Sequence, residues 1–495
     1  MSHCDTLIRN ASVVDGTGRA AENLDVAIEA GRIVELGAGL GYSASFEMDA
    51  GGRILAPGFI DTHTHDDTSV VDAPGMLPKL SQGVTTVIVG NCGISAAPVR
   101  LGGDPPDPMN LLGGRESFRY PSFADYREAV RGARPAVNVA AFAGHTALRN
   151  NHMDHLDRAA TKGEIEAMRE DLREALDSGA LGLSTGLAYA NANAAPTAEV
   201  VELAKTLRAA GGIYATHLRT ETDAILDAIG EACAIGRAVG ATVVVSHLKC
   251  AGVDNWGRSA EVLAAISAAR ERQPVAWDCY PYAAGSSTLD LRQVDPRVEI
   301  TITWSKPHPE QMGRALARIA KDWGMSQTDA ARKLQPAGAI YHSIHEDDMR
   351  RILAHPATMI GSDGLPCDAH PHPRLWGTFP RVLGRYCREA GLFSLAQAVH
   401  KMSGLPAGVF GIAQRGQLRP GFFADMVLFD PEEVADEATF DDPKRPARGI
   451  HGVWVNGVLS YTAEGATGDR AGRFLARAGS ASSGQLSQAA DTFRK

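Results

Sequence analysis

Apolar and polar positions change rhythm twice along the chain. From Asp5 to about Ile54, short runs with β-favouring content (Thr6–Ile8, Ser12–Val14, Val26–Glu29 and Ile33–Leu36) are broken by Gly16, Gly18, Gly31 and Gly37. Runs of that length between glycines predict strands and turns, and no helical period is present. Near the other end Asp425–Phe429 and Gly452–Leu459 repeat the pattern, with Asn456-Gly457 as a hairpin turn. Neither piece is long enough to bury a core alone. Together, residues 1–56 and 410–470 predict one small β-sandwich domain built from both ends.

Between them the rhythm becomes strand, then helix, repeated. Strand ends are expected near Phe59–Ile60, Thr85–Val89, Val137–Phe142, Leu181–Leu183, Ile213–Thr216, Thr242–Ser246, Val275–Cys279 and Thr358–Gly361. Amphipathic stretches at Phe123–Val130, Lys162–Asp177, Thr197–Ala210, Thr222–Val239, Arg258–Glu271 and Glu346–Leu353 separate most of them. Eight apolar strands alternating with helices predict an α/β fold, a parallel (β/α)8 TIM-like barrel over 57–409. Residues 283–344 are too many for a simple loop and predict an insertion near the barrel mouth. The tail, 471–495, is rich in Ala, Ser and Gly and is expected to be flexible.

The chemistry sits where the strands end. The first strand runs into Asp61-Thr62-His63-Thr64-His65, and alternation along an extended chain points His63 and His65 to the same side. The second ends in Gly90-Asn91-Cys92-Gly93, the fifth at His217, the sixth at His247 and the eighth at Asp363. Barrel enzymes place their sites at the C-terminal mouths of the strands, where these residues would converge. A single His-x-His or strand-end Cys is common in ordinary packing. Four imidazoles, one thiol and a carboxylate on one face are not explained that way. The set suits zinc, which prefers imidazole and thiolate, and leaves Asp363 as a base. His145, after the third strand, is a candidate donor to a substrate oxygen or a residue that supports the site from behind.

Composition narrows the partners. The 495 residues are 44% hydrophobic and 22% charged, as in a well-folded globular protein. Lys+Arg 49 against Asp+Glu 58 gives a net charge of −9, without a basic stripe. Neither nucleic acid nor an anionic membrane is therefore expected as partner, and there is no apolar run of about 18 residues to span a bilayer. The opening MSHCDTLIRN has no apolar signal segment, and the seven cysteines are scattered. The expectation is a cytoplasmic protein with free thiols acting on a small molecule, with its oligomeric state left open.

The motifs together resemble a known family. Pro57-Gly58-Phe59-Ile60-Asp61-Thr62-His63-Thr64-His65 is similar to the segment that opens the barrel of the amidohydrolase superfamily. Gly90-Asn91-Cys92-Gly93, Gly144-His145-Thr146, Ser246-His247-Leu248-Lys249-Cys250, Tyr280-Pro281-Tyr282, Gly361-Ser362-Asp363-Gly364 and the stretch from Pro373 to Arg381 resemble the N-acyl-D-amino-acid deacylases (D-aminoacylases). The resemblance runs from about Asp5 to Pro431. It implies a tightly held zinc on Cys92, His217 and His247, and a weaker second site with His63 and His65 sharing Cys92. Hydantoinase-like relatives carry a carbamylated lysine at the end of strand four, and Leu181–Gly186 has no lysine here.

The resemblance also implies hydrolysis of the amide of an N-acyl-D-amino acid, with Lys249, Tyr280, Ser286 and Arg374 clamping its α-carboxylate and Tyr189 near the side-chain pocket. Arg292 falls where an acidic-substrate member carries an arginine, so N-acyl-D-glutamate and hydrophobic D-amino acids both stay open as substrates. Two alternatives stand beside this reading: cleavage of cyclic amides or D-dipeptides on the same metal site, and a non-catalytic zinc-binding homologue.

Overall fold

The computed structural model describes residues 2–479. Eight parallel strands form where apolar runs occur: β1 (Phe59–Asp61), β2 (Val84–Val89), β3 (Asn138–Ala141), β4 (Gly182–Gly186), β5 (Ile213–His217), β6 (Val243–Val245), β7 (Val275–Cys279) and β8 (Thr358–Ile360). Pairing runs β1–β2–β3 and, separately, β4 through β8. After Phe142 the third strand resumes as Ala143–Gly144 and pairs with β4. The ring closes beyond the ends of β8 and β1, where Asp363 N donates to His63 O (2.7 Å) and His65 N donates to Gly364 O (3.0 Å). These strands are buried on both faces, which explains why they read as unbroken apolar runs. Ile60, Ile88, Ala140, Val244, Ala276 and Met359 pack as one cluster, while Val87, Val89, Val243 and Val245 belong to the larger core beneath the helices.

The expected helices form with small changes at their ends. Ser122 and Thr161 start theirs with capping boxes, each side chain accepting from the backbone three residues on and its acidic partner accepting in return. The stretch expected as one helix over Thr197–Ala210 is two, Thr197–Ala204 and Thr206–Ala210. Helices that the sequence reading does not place follow β8 at Arg374–Arg381 and Leu395–Met402. Pro380 lies inside the first of these runs and hides its period.

Strands from both ends of the chain join into one nine-stranded sheet, in which Met426–Phe429 pairs antiparallel with Ile54–Pro57. A buried polar node ties this sheet to the barrel. Asp425 accepts from Asn138 Nδ2 of β3 (3.2 Å) and from Asn456 N (2.7 Å), and pairs with Arg415. Between β7 and β8 the chain forms a three-stranded antiparallel sheet (Gly285–Thr288, Ile300–Ser305, Ala337–Tyr341) and two helices around an apolar cluster of its own.

The expectation of a flexible tail needs correction over its first part. Gly472 N donates to Pro135 O (2.9 Å), Leu475 N donates to Val139 O (2.7 Å), and the Phe474 ring lies edge-on to Phe123 at 6.0 Å. Burial of an aromatic ring and main-chain pairing to β3 hold this segment. The rest of that expectation, 480–495, lies outside the described residues. Among the described residues no helix is long and apolar enough to cross a membrane.

Candidate metal centre and its cavity

The strand ends bring their donors together. Cys92 Sγ lies 3.2 Å from His63 Nε2 and 3.3 Å from His247 Nε2. Asp363 Oδ1 lies 3.2 Å from His65 Nε2 and 3.5 Å from His63 Nε2. Two donor groups result, His63–His65–Cys92–Asp363 and Cys92–His217–His247, each with donor atoms within 4.8 Å of one another, and they share Cys92. All six side chains are buried except His217, which is partly exposed.

The backbone is bent to achieve this. Cys92, His247 and Asp363 have φ of 54°, 36° and 49°, a left-handed conformation that non-glycine residues seldom adopt. Strain of this kind persists only where surrounding structure imposes it, and it clusters at functional sites. Around Cys92 the turn uses two glycines, Gly90 (φ 76°) and Gly93 (φ 75°). A Cβ on Gly90 would sit 2.2 Å from Phe142 O. Strand four, which lacks a lysine, bears on the same turn: Ser184 Oγ donates to Gly90 O and accepts from Gly93 N.

Buried partners that the sequence reading missed hold the donors in place. Lys79, fully buried, donates from Nζ to Asp61 Oδ2 (2.8 Å), Thr64 Oγ1 (2.9 Å) and Ser362 Oγ (3.0 Å), and pairs with Asp66 (3.0 Å). That node braces the His63–His65 segment against the Asp363 segment. Asp278 Oδ1 accepts from His247 N (3.0 Å) and stands 3.8 Å from His63 Nδ1. An acid inside the apolar run Val275–Cys279 was the signal available for Asp278. Glu221 stands 3.0 Å from His247 Nδ1 and 2.6 Å from Lys249 Nζ.

The electrostatics favour a bound cation. Burial opposes the Cys92 thiolate, yet His63, His247 and His217 outweigh it and hold the thiol well below its usual range. Burial likewise opposes protonation of His65, but Asp363 and Cys92 push it up to about 9. Burial alone would raise the Asp363 carboxyl, and the Arg374 guanidinium with His247, His65 and His63 keeps it well below the carboxylate range. A thiolate and a carboxylate closely surrounded by imidazoles form a donor set that suits zinc. The Cys92–His217–His247 group offers three donors, the number typical of a site that keeps one position open.

That side opens on a cavity of about 870 Å³, lined by His217, His247, Asp363, Lys249, Tyr280, Ser286, Tyr189 and Arg292. Tyr280 Oη is buried without a partner. Arg374 does not line the cavity. It is 1% exposed and lies behind the wall, with Nη1 2.9 Å from Asp363 Oδ2, Nη2 donating to Ser286 O (3.0 Å), and its guanidinium 4.6 Å from the centre of the Tyr280 ring. Arg292 is paired with Asp290, Nη2 to Oδ2 at 2.6 Å, and donates to Ala188 O at 3.1 Å. His145 is not brought to the cavity. It is fully buried, with Nε2 3.2 Å from Glu199 Oε1, and Glu199 also pairs with buried Arg149. Its imidazole is thus set behind the residues that line the cavity, against the Glu199–Arg149 pair.

A model of the amidohydrolase family matches residues 47–461. The chain belongs to the amidohydrolase family. Within it, this amidohydrolase is 50% identical over 473 residues to the D-aminoacylase of Alcaligenes xylosoxydans xylosoxydans, covering 96% of this chain and 98% of that one. It is 47% identical over 474 residues to the N-acyl-D-glutamate deacylase of the same organism, covering 96% of each. Among solved structures it is similar to the N-acyl-D-glutamate deacylase of Bordetella bronchiseptica bound to zinc and a phosphonate inhibitor. That match has TM-score 0.93 and 47% identity, over 96% of this chain and 100% of that one. Our amidohydrolase thus shares fold and length with D-amino-acid deacylases throughout.

Proposed function

We propose that this chain is a zinc-dependent hydrolase that cleaves N-acyl-D-amino acids to a carboxylate and a free D-amino acid. The observation that carries the reading is the open three-donor group, Cys92–His217–His247, facing a cavity whose wall also holds Asp363 and the cation of Lys249. Cys92, His217 and His247 would hold the tight zinc, and His63 and His65 with Cys92 a weaker second one. Bound zinc supplies Lewis acidity, polarising an acyl group and easing deprotonation of water near neutral pH.

The chain's own residues do the rest. Asp363, kept ionised by its neighbours, takes a proton from the attacking water and returns it to the departing amine nitrogen. Without that proton the amine would leave as an anion, so both transfers lower the barrier. Lys249, the unpartnered Tyr280 hydroxyl and Ser286 meet the α-carboxylate, with Arg374 adding its charge from behind Ser286 and Tyr280. Tyr189, whose hydroxyl accepts from Ser287 Oγ (3.3 Å), borders the side-chain end of the cavity.

Identity does not choose the side chain, because the D-aminoacylase and the D-glutamate relative differ by only three points, 50% against 47%. Arg292 on the cavity wall supports an acidic one, in exchange for part of its contact with Asp290. The seven unpaired thiols support a reducing, cytoplasmic setting.

Amine release by the zinc-loaded protein from paired N-acetyl-D- and N-acetyl-L-glutamate, -leucine and -methionine tests this reading. Turnover confined to the D series is expected. Hydrolysis of neither series would overturn the proposal and move weight to cyclic amides, D-dipeptides or a non-catalytic role.

A further inference from the structure

Glu221 lies in the loop after β5, four residues beyond His217. Its Oε1 is 3.0 Å from His247 Nδ1 and 2.6 Å from Lys249 Nζ, and its Oε2 is 3.7 Å from His217 Nε2. The side chain is only 10% exposed, yet it forms part of the cavity wall. One carboxylate therefore touches both imidazoles of the open donor group and the ammonium nearest to them.

Two neighbours compete for His247 Nδ1. Lys249 Nζ, 2.8 Å away, can only donate, and Glu221 can only accept. His247 Nε2 is turned toward Cys92 at 3.3 Å. An imidazole that offers Nε2 to a metal carries its proton on Nδ1, and that N–H cannot donate to an ammonium, which has no acceptor. Glu221 is then the partner of Nδ1. Lys249 is left to donate to the same carboxylate and to His247 O (2.9 Å).

We infer that Glu221 is a positioning residue. It fixes the tautomer and ring direction of His247, and it parks the charge of Lys249 on the cavity wall. The second of these tasks rests on the deacylase reading, since it matters only if a substrate carboxylate arrives there. Carboxylates that accept from a ligand imidazole sharpen metal affinity by orienting the ring and raising its basicity.

Glu221→Gln keeps size and shape but removes the charge and leaves one neutral acceptor oxygen for both donors, whereas Glu221→Asp keeps the charge. In chelator competition on the zinc-loaded full-length protein, Glu221→Gln is expected to weaken apparent zinc affinity about 10–100-fold. Its KM for an N-acetyl-D-amino acid should rise by a larger factor than kcat, measured at saturating zinc, falls. Glu221→Asp should recover part of both losses.

Wild-type zinc affinity and KM in Glu221→Gln would overturn the inference. So would losses that track a lower melting temperature and are not recovered by Glu221→Asp, because these mark a plain packing role. If the wild-type protein hydrolyses no N-acyl-D-amino acid, the deacylase reading fails on its own, and the chelator competition still decides whether Glu221 holds His247.

Discussion

Two clusters of imidazole and carboxylate sit at the strand ends of this barrel, and only one has the makings of a reaction centre. The cluster around Cys92 combines four imidazoles, a thiol and Asp363, bends three non-glycine residues into left-handed backbone, and opens on the large cavity. The cluster around His145 has an equally buried imidazole beside Glu199 and Arg149, but it is sealed and every charge in it has a partner of opposite sign. Buried charge therefore does not identify a site by itself. Access, strain and an unbalanced donor set do. The comparison predicts that damage to the first cluster abolishes chemistry with the fold intact, and damage to the second costs stability with the chemistry intact.

The largest effect belongs to Asp363. Asp363→Asn removes the group that moves the proton and leaves the Cys92–His217–His247 set in place, so turnover should fall by about 10²–10⁴-fold. Zinc content, measured on the purified protein, should stay close to wild type. Retained turnover would erase the distinction between the clusters, because the open one would then work without its base.

Next comes the sealed cluster. Glu199→Ala leaves Arg149 without its counter-charge and the His145 ring without its partner, and removing one member of a buried pair costs about 3–5 kcal/mol. A lower melting temperature with wild-type zinc affinity is the expected pair of results. Loss of zinc affinity at unchanged stability would mean that the sealed cluster serves the metal after all.

Acid sharpens the same contrast. Burial would raise the Glu199 carboxyl, but His145, Ala160 N and Arg149 bring it from its ordinary 4.5 down to about 2. A folded-state pKa depressed in this way stabilises fully above the unfolded value and is lost as pH falls through the folded one. Wild-type stability should therefore drop between about pH 4.5 and about 2 by an increment that Glu199→Gln lacks. Equal acid sensitivity in the two proteins would show that Glu199 is not held ionised.

These outcomes also mark how far the sequence could be read. The barrel strands are legible because burial on both faces leaves apolar runs that end in polar turns. The six donors are legible because each follows such a run directly. Asp278, Lys79 and Glu221 are different, since what they do depends on partners brought in by other loops. Lys79 meets Ser362 across 283 positions of chain, and no local pattern records that contact. The surroundings of His145 are hidden for the same reason, because Glu199, which its ring meets, lies 54 residues further on. Arg374 was expected among the residues that meet substrate, and its guanidinium instead stands behind them, a depth that the motif around it does not encode.

The smallest effect, and the most selective, concerns Arg292. It sits on the insertion, away from both clusters, with a side chain 57% exposed and already paired with Asp290. A charge-assisted hydrogen bond is worth about 1.5–3 kcal/mol when it forms freely. Here solvent and the competing carboxylate both reduce that gain, to roughly the 1.4 kcal/mol that corresponds to a tenfold change. Arg292→Ala should thus raise KM for N-acetyl-D-glutamate about tenfold and leave N-acetyl-D-leucine within about twofold. Asp290→Asn should shift the same ratio the other way, because the guanidinium gives up less to turn toward substrate. Equal losses on both substrates in Arg292→Ala would remove the arginine as a selector and return it to the role its present contacts describe, a brace between the Asp290 turn and Ala188 O.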